Sequence, residues 1–340
     1  MSGYGYRLFT FSVFRGMKLT PMKFEECDSE HYRDITVRLL NELTIPVVGD
    51  PPAKPDEPIS AELEAVRGKP AIRVEKIEVI DNTIRAIIWV GKVGSHEKAM
   101  SHDGSLEEID ISDRAAINEY RVIFAFPERG TTGVLAVESI RRSCPVTPLV
   151  KWLRYKSREE AHKKAKENGA TPAWWRPKVY ALADELRLAE MIEAGHARRL
   201  VLVKKAVNPG RTRDEREYEI RAPLKAQGKV AQVASLVRRW AAQAREDDGS
   251  QVASNAEAAR QLAAIVSSEI KDLDLDDGWV ELSDPDDQVK RVNPSLFNDV
   301  FTYKLADDIP PVTPTFYNGV RTTALRLQDS AKLAIDWPVE

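Results

Sequence analysis

Cationic and aromatic side chains are concentrated between residues 151 and 245, and these residue types bind the phosphates and bases of nucleic acids. The window contains 23 Lys and Arg residues against 11 Asp and Glu residues. Lys and Arg neutralise phosphates and release condensed counterions, while aromatic rings stack on unpaired bases of any identity. The candidate nucleic-acid-binding residues are Lys163, Lys164, Trp174, Trp175, Arg176, Arg198, Arg199, Lys204, Lys205, Arg211 and Arg213.

No binding signature accompanies this composition, since the window contains neither a zinc-finger spacing nor an RNA-recognition octamer. We therefore expect any binding to be independent of nucleotide sequence. The alternative interpretation is structural: the lysines solvate a helix face, and the adjacent tryptophans fill the gap between two domains, because tryptophan is mostly buried on average.

An acidic region near the carboxyl end offers another explanation of the charge asymmetry. Residues 246–340 contain 8 Lys and Arg residues against 19 Asp and Glu residues, although the whole chain has a net charge of only −3. These acidic side chains could fold back on the basic block, meet it in another subunit, or imitate a polyanion that regulates access. The relevant residues are Asp272, Asp274, Asp276, Asp277, Asp284, Asp286 and Asp287.

Carboxylates that converge on a divalent metal would instead predict a nuclease, because such a metal activates water and holds a phosphate. The candidate sets are Glu75 with Lys76, Glu138, Asp184 with Glu185, and Glu217 and Glu219 with Lys225. None of these spacings is diagnostic. A divalent metal is expected only if the protein is a nuclease, and otherwise no cofactor is expected.

His96, His102 and Asp103 form the densest group of potential transition-metal ligands. The usual short motif places two histidines four residues apart on a helix, whereas these two are six apart in a predicted loop. We expect His31 and His162 to face solvent. Cys144 has no identifiable partner histidine, so nucleophilic catalysis from it is not expected.

Nucleotide-binding loops and membrane spans are not expected from the sequence. It contains no phosphate-binding loop motif and no glycine-rich dinucleotide fingerprint after a strand. No stretch approaches 18 consecutive apolar residues, and the two cysteines are far apart. These features predict a cytoplasmic protein without membrane contact.

Periodicity predicts an α+β fold whose N-terminal antiparallel sheet is covered by helices. Alternating or β-branched segments predict a first strand and two hairpins, and a helix is expected from residue 28 or 29 to Leu43. The predicted strands are Tyr6–Phe14, Ile72–Ile80, Ile84–Val93, Tyr120–Phe126 and Gly133–Ile140.

Beyond residue 145 we expect a mainly helical basic segment with a hairpin, followed by a small acidic helix-plus-hairpin module. Thr147 is predicted to cap a helix that ends at Gly169, and Pro177 to open another that ends at Gly195. The remaining predicted helices are 223–245, 254–270 and 323–334, and the predicted hairpin strands are 199–207 with 215–221 and 279–282 with 288–292. The predicted domains are 1–145, 146–248 and 249–340.

The leading hypothesis is a nucleic-acid-binding protein that acts without sequence specificity as part of a larger assembly, with a protein partner or a second copy of itself. Catalysis is not favoured. The alternatives are a metal-dependent nuclease and a protein-interaction subunit whose opposite charges pair between subunits.

Overall fold

The chain divides into two compact units in the computed structural model. Unit 1 comprises Met1–Val179 and Tyr303–Glu340, and unit 2 comprises Tyr180–Thr302. The residues that the structure describes are 3–28, 30–57, 63–96, 98–99, 109–141, 143–169, 173–182, 184, 187, 197–205, 216–224, 227–246, 255–267, 269–270, 272–283, 289–293, 301–306, 308–329, 331 and 333–338. These units divide the chain differently from the three charge-based segments 1–145, 146–248 and 249–340.

The described residues contain six helices and a large antiparallel sheet, so the α+β class is confirmed. The helices are α1 (Tyr32–Asn41), α2 (Leu63–Val66), α3 (Val146–Asn168), α4 (Gln227–Glu246), α5 (Asn255–Val266) and α6 (Thr313–Gln328). The strands are β1 (Tyr4–Arg15), β2 (Pro21–Met22), β3 (Val47–Val48), β4 (Pro70–Ile80), β5 (Thr83–Val93), β6 (Lys98–Ala99), β7 (Ile109–Asp110), β8 (Ala115–Ala125), β9 (Gly133–Ile140), β10 (Trp175–Ala181), β11 (Ala197–Lys205), β12 (Arg216–Pro223), β13 (Asp277–Ser283), β14 (Val289–Val292) and β15 (Tyr303–Ala306).

Unit 1 is built on a nine-stranded sheet with the order β10-β1-β9-β8-β5-β4-β3, in which β2 and β15 also pair with β1. The predicted hairpins β4–β5 and β8–β9 are both present and antiparallel. At the tip of the second hairpin, a Cβ added to Gly133 would lie 2.5 Å from the Phe11 ring. A larger residue cannot fit there without moving the aromatic core.

The two faces of this sheet carry different cores because successive side chains in a strand point in opposite directions. On one face, Phe11 packs against Phe24, Phe124 and Phe126, with ring centroids 5.2–5.9 Å apart. Helix α1 lies near the same strands and contacts β4 and β5. The Tyr32 ring of α1 lies 6.0 Å from Phe24 and 6.4 Å from Phe126, so this helix packs on the aromatic cluster.

Helix α6 covers the opposite face. Tyr6 and Phe11 are five positions apart on β1, so their side chains lie on different faces, and Tyr6 contacts Phe316 of α6 with a centroid distance of 6.1 Å. The Tyr6 hydroxyl also donates to the Gly319 carbonyl over 2.7 Å. Strand β15 adds to this arrangement by pairing with the start of β1. Residues 303–306 thus belong to the N-terminal sheet, which no local pattern predicted.

Unit 2 contains a four-stranded antiparallel sheet of order β12-β11-β13-β14. Leu200, Leu202 and Val280 face α4 and α5 in a core with Trp240 and Leu262. Both predicted hairpins of this region are present as the pairs β11–β12 and β13–β14. The sheet therefore joins strands from the predicted basic segment and the predicted acidic module.

The predicted helix from Pro177 to Gly195 is wrong over its described first part, where β10 runs from Trp175 to Ala181. Pro177 has no N–H to donate, and proline is tolerated in strands at sheet edges, where β10 lies. Hydrogen bonding to β1 therefore outweighs the helical spacing of the apolar residues. Residues 188–196 lie outside the described residues.

Four predicted helix starts also differ from the structure. The helices predicted to begin at residues 223 and 323 begin instead at Gln227 and Thr313. Helix α1 begins at Tyr32, and His31, which was predicted to face solvent, caps it by accepting the Arg33 N–H over 3.1 Å. Helix α3 begins at Val146, so Thr147 lies within its first turn instead of capping it. The predicted end of α3 is confirmed, since Gly169 has a φ of 67° and its N–H bonds the Ala165 carbonyl.

Candidate nucleic-acid interface

Lys163 and Lys164 lie on the exposed second half of α3. Lys163 pairs with Glu159 at 3.6 Å and Lys164 with Glu160 at 2.7 Å, each one helical turn away. Exposed pairs of this kind are weak and easily exchanged, so both lysines stay accessible to a polyanion. The exposure of Lys163 and Lys164 and their pairing within α3 are typical of a solvated helix face.

The adjacent tryptophans Trp174 and Trp175 have different environments. The Trp175 side chain is 4% exposed, and its backbone N–H bonds the Ser157 hydroxyl over 2.7 Å. Its ring is therefore not accessible to a base in this conformation. Trp174 is only half-buried, and the Arg158 guanidinium carbon lies 5.5 Å from its ring centroid.

A turn at the end of β1 holds Trp174 in place. The Gly16 N–H bonds the Trp174 carbonyl over 2.8 Å, and the Lys18 N–H bonds the Arg15 carbonyl over 3.1 Å. Gly16 has a φ of 55°, and a Cβ added to it would lie 3.4 Å from the Trp174 indole nitrogen. Glycine at this position thus permits both the turn and the close approach of the ring.

Arg176 connects β10 to the same turn. Its Nη2 donates to the Lys18 carbonyl over 3.1 Å, and its guanidinium carbon lies 5.6 Å from the Phe14 ring centroid. Lys178 approaches the same ring to 5.2 Å. The edge strand thus positions cationic side chains beside the end of β1.

We call Arg15, Lys18, Arg158, Trp174 and Arg176 the basic edge patch. Arg15 and Lys18 are exposed. None of the four cations of the patch forms an ion pair with a residue that the structure describes. The turn also exposes Met17 (76%) and Leu19 (82%). The patch thus combines uncompensated positive charge with accessible apolar and aromatic surface.

Several described cations of unit 2 contrast with this patch because acidic side chains compensate them. Lys204 contacts Asp274 and lies 3.4 Å from Asp276, and the Lys205 N–H donates to Asp276 over 2.8 Å. The hydrogen bond to Asp274 is the main reason that the pKa of Lys204 is raised. Acidic residues of the predicted C-terminal module thus fold back on part of the basic block.

Arg199 is compensated in the same way by Glu281, which is 6% exposed. Burial alone would raise the pKa of Glu281, but hydrogen bonds from Arg199 and the Trp279 indole leave it lowered. Arg291 adds a second cation, 3.9 Å from the same carboxylate. Glu281 is therefore held ionised between two guanidinium groups.

The remaining predicted phosphate-binding residues have no described side chains. Arg211 and Arg213 lie outside the described residues, and only the backbone of Arg198 is described, within β11. Their predicted contacts with nucleic acid stay predictions.

The predicted metal ligands are only partly described. His96 is exposed, while His102 and Asp103 lie outside the described residues. Within the part of the chain that the structure describes, no three His, Cys, Asp or Glu side chains are grouped as metal ligands would be. The metal site therefore stays a prediction without geometric support.

Four of the carboxylates that could serve a nuclease have other partners, whereas Glu217 is exposed and has no described ion pair. Glu75 pairs with Arg73, Glu219 pairs with Arg221, and Asp184 accepts the Arg187 N–H over 3.0 Å. Glu138 is 1% exposed and accepts the Arg121 N–H over 2.9 Å. These contacts are structural, while Glu185 and Lys225 lie outside the described residues.

Two further sequence predictions concern single residues. His162, predicted to face solvent, is half-buried, and its Nε2 is buried without a hydrogen-bond partner among the described residues. Cys144 is half-buried, and Cys27 is buried, with a pKa raised to about 12 mainly by desolvation. A thiol with that pKa is not a nucleophile at neutral pH.

Sequence reasoning missed Arg15, Lys18 and Arg158 as members of one surface. Arg15 and Lys18 fall outside the basic window, and counting charge along the chain cannot show that β1 and β10 are neighbours. The available signal was local, because Gly16 and the cations Arg15 and Lys18 directly follow the predicted strand Tyr6–Phe14.

None of the described helices is both long and apolar enough to cross a bilayer. No protein-family model matches the chain, and no curated protein matches it significantly.

Proposed function

We propose that this protein binds single-stranded nucleic acid, without sequence specificity, through the basic edge patch. The observation that carries the proposal is the half-buried Trp174 ring, held against Gly16 and flanked by the guanidinium of Arg158. A fixed aromatic ring beside cations is the arrangement that binds successive unpaired nucleotides, because the ring stacks on a base while the cations contact phosphates.

The electrostatics of unit 1 and unit 2 support the choice of this surface. The four cations of the patch have no acidic partner among the described residues, whereas Lys204 and Arg199 in unit 2 contact Asp274 and Glu281. A phosphate that approaches the patch therefore does not have to displace a carboxylate. Binding at the compensated unit 2 residues would require that displacement.

A single strand fits this patch better than a duplex. Stacking on Trp174 requires a base whose face is exposed, and duplex bases are already stacked on their neighbours. We also propose that the protein acts within a larger assembly and that it does so in the cytoplasm. The charged surface supports the assembly, and the composition supports the cytoplasmic location.

Fluorescence anisotropy with single-stranded and double-stranded oligonucleotides of equal length tests this function. Four phosphate contacts predict a slope of about −3 for the logarithm of the association constant against the logarithm of salt concentration. Trp174→Ala should weaken single-strand binding by about 1–3 kcal/mol, since stacking of a base on an aromatic ring contributes that much. Arg15→Gln with Arg158→Gln should reduce the magnitude of the slope by about 1.4.

Matched controls exist in the same unit. Trp89 is a half-buried tryptophan with the Arg73 guanidinium carbon 4.4 Å from its ring centroid, but Glu75 pairs with that arginine. Trp89→Ala should therefore leave affinity unchanged, and Lys163→Gln with Lys164→Gln should change it less than the arginine pair does. Equal losses in the Trp89 and Trp174 variants, or preferential binding of anionic vesicles over oligonucleotides, would overturn the proposal.

A further inference from the structure

A small cleft on the α6 side of the unit 1 sheet has the composition of an anion site. Strand β5 contributes Thr83 and Arg85, helix α6 contributes Tyr317, Asn318 and Arg321, and residues 337–338 close one side. Ile123 of β8 completes the lining. The cavity volume of the cleft is about 10 Å³, which is room for one water-sized group, so it admits an oxygen of a small ion and not a polymer.

Strand and helix geometry direct these side chains to one place. Thr83 and Arg85 are two positions apart on β5 and so face the same side of the sheet. Tyr317 and Arg321 are four positions apart on α6 and so lie on the same helix face. The Arg85 guanidinium carbon lies 4.2 Å from the Tyr317 ring centroid, which fixes that cation across the gap between sheet and helix.

Two polar groups of the cleft have no hydrogen-bond partner among the described residues. Thr83 is 1% exposed, and its side-chain hydroxyl has no hydrogen-bond partner among the described residues. The Arg321 Nε is likewise buried without a partner. Buried polar groups are normally hydrogen-bonded, so two such groups on residues that line the same cleft call for an explanation.

We propose that this cleft binds a small oxyanion, either a carboxylate or a phosphate. The Thr83 hydroxyl and the Arg321 Nε donate hydrogen bonds to its oxygens, and the Arg85 guanidinium supplies a second positive charge. A cationic ligand would be repelled by the two guanidinium groups, and an apolar ligand would leave the Thr83 and Arg321 groups unsatisfied. This site is separate from the basic edge patch, and no residue is shared.

Isothermal titration calorimetry of the full chain tests the proposal, with inorganic phosphate and with acetate in separate titrations at constant ionic strength. Thr83→Val and Arg321→Gln should each weaken binding of the preferred anion by about tenfold or more. Thr83→Val should also retain or raise the melting temperature of the ligand-free protein, because it removes an unsatisfied buried hydroxyl without changing the shape of the side chain.

Two control substitutions match these changes in chemistry. Thr36 is also buried, but its hydroxyl donates to the Tyr32 carbonyl over 2.9 Å, so Thr36→Val should destabilise the protein and leave anion affinity unchanged. Arg326→Gln makes the same charge change on α6 outside the cleft. Absence of binding with both anions, or equal affinities in wild type, Thr83→Val and Arg321→Gln, would overturn the proposal. Trp174→Ala should not affect this binding, so its outcome is independent of the nucleic-acid proposal.

Discussion

Trp174 and Trp175 show how neighbouring residues of similar chemistry acquire different roles. Successive side chains in an extended chain point to opposite sides, so the Trp175 ring is buried while the Trp174 ring is only half-buried. The sequence identified both as candidates for stacking. It could not separate them, because the spacing after Pro177 favoured a helix and the strand was missed.

Glu138 and Arg121 form the most deeply buried described ion pair, on the neighbouring strands β9 and β8. Their side chains are 2% and 9% exposed, and the guanidinium Nε lies 3.6 Å from the carboxylate. Arg121 also faces the Phe316 ring at 5.7 Å. The pair therefore connects the sheet to the face covered by α6, and its protonation affects the stability of that layer.

Burial raises the pKa of Glu138, and the Arg121 N–H and guanidinium counteract this only in part. A carboxyl whose pKa is higher in the folded chain binds its proton more tightly there. The free energy of unfolding therefore falls as pH rises from the unfolded pKa, about 4.3, through the folded value. Glu138→Gln removes this titration.

The stability of the Glu138→Gln variant relative to wild type should therefore increase between pH 4 and pH 7. The difference in the free energy of unfolding grows by about 1.4 kcal/mol for each unit by which the Glu138 pKa is higher in the folded chain than in the unfolded chain. Urea unfolding of both proteins at several pH values measures it. Parallel stability curves for wild type and variant would contradict this prediction.

Secondary-structure elements were predictable where local patterns agree with the tertiary contacts. The hairpins β4–β5, β8–β9 and β11–β12 combine β-branched strands with turn residues, and each is present. Prediction failed at β10, where pairing with β1 outweighs helical spacing, and at β15, which pairs with a strand at the other end of the chain. Non-local pairing leaves no periodic signal, so the basic edge patch could not be assembled from the sequence.

The end of α3 gives a test of element-scale reasoning, because two glycines in helical segments have opposite requirements. Gly169 has a φ of 67° with free space around the position of a Cβ, so only backbone conformation requires glycine there. Gly169→Ala should lower the free energy of unfolding by about 1 kcal/mol.

Gly228 is the matched control, since it lies in the first turn of α4 with similar free space and without a positive φ. Gly228→Ala should raise the free energy of unfolding by about 0.5 kcal/mol, because alanine loses less conformational entropy in a helix. Urea unfolding measures both changes. The same sign for both substitutions would show that the αL conformation of Gly169 does not limit stability.

For the whole molecule, the blocks of opposite charge along the chain have a structural explanation in unit 2. Strand β11 of the predicted basic segment lies beside β13 of the predicted acidic module, and Arg199, Lys204 and the Lys205 N–H contact Glu281, Asp274 and Asp276. The charge asymmetry read from the sequence is therefore neutralised locally in this sheet. The four cations of the basic edge patch lie in unit 1 and have no ion-pair partner among the described residues, which the charge count did not indicate.

This arrangement predicts that acidic side chains suppress polyanion binding by unit 2. Asp274→Asn with Asp276→Asn releases the Lys204 ammonium, which should tighten nucleic-acid binding about fivefold at low salt and make the salt slope steeper by about 0.7. Asp56→Asn with Asp113→Asn makes the same charge change at exposed positions of unit 1 and should have a smaller effect on both quantities. Anisotropy titrations of the two variants compare them directly. If both raise affinity equally, net charge alone governs binding and the Lys204 contacts have no specific role.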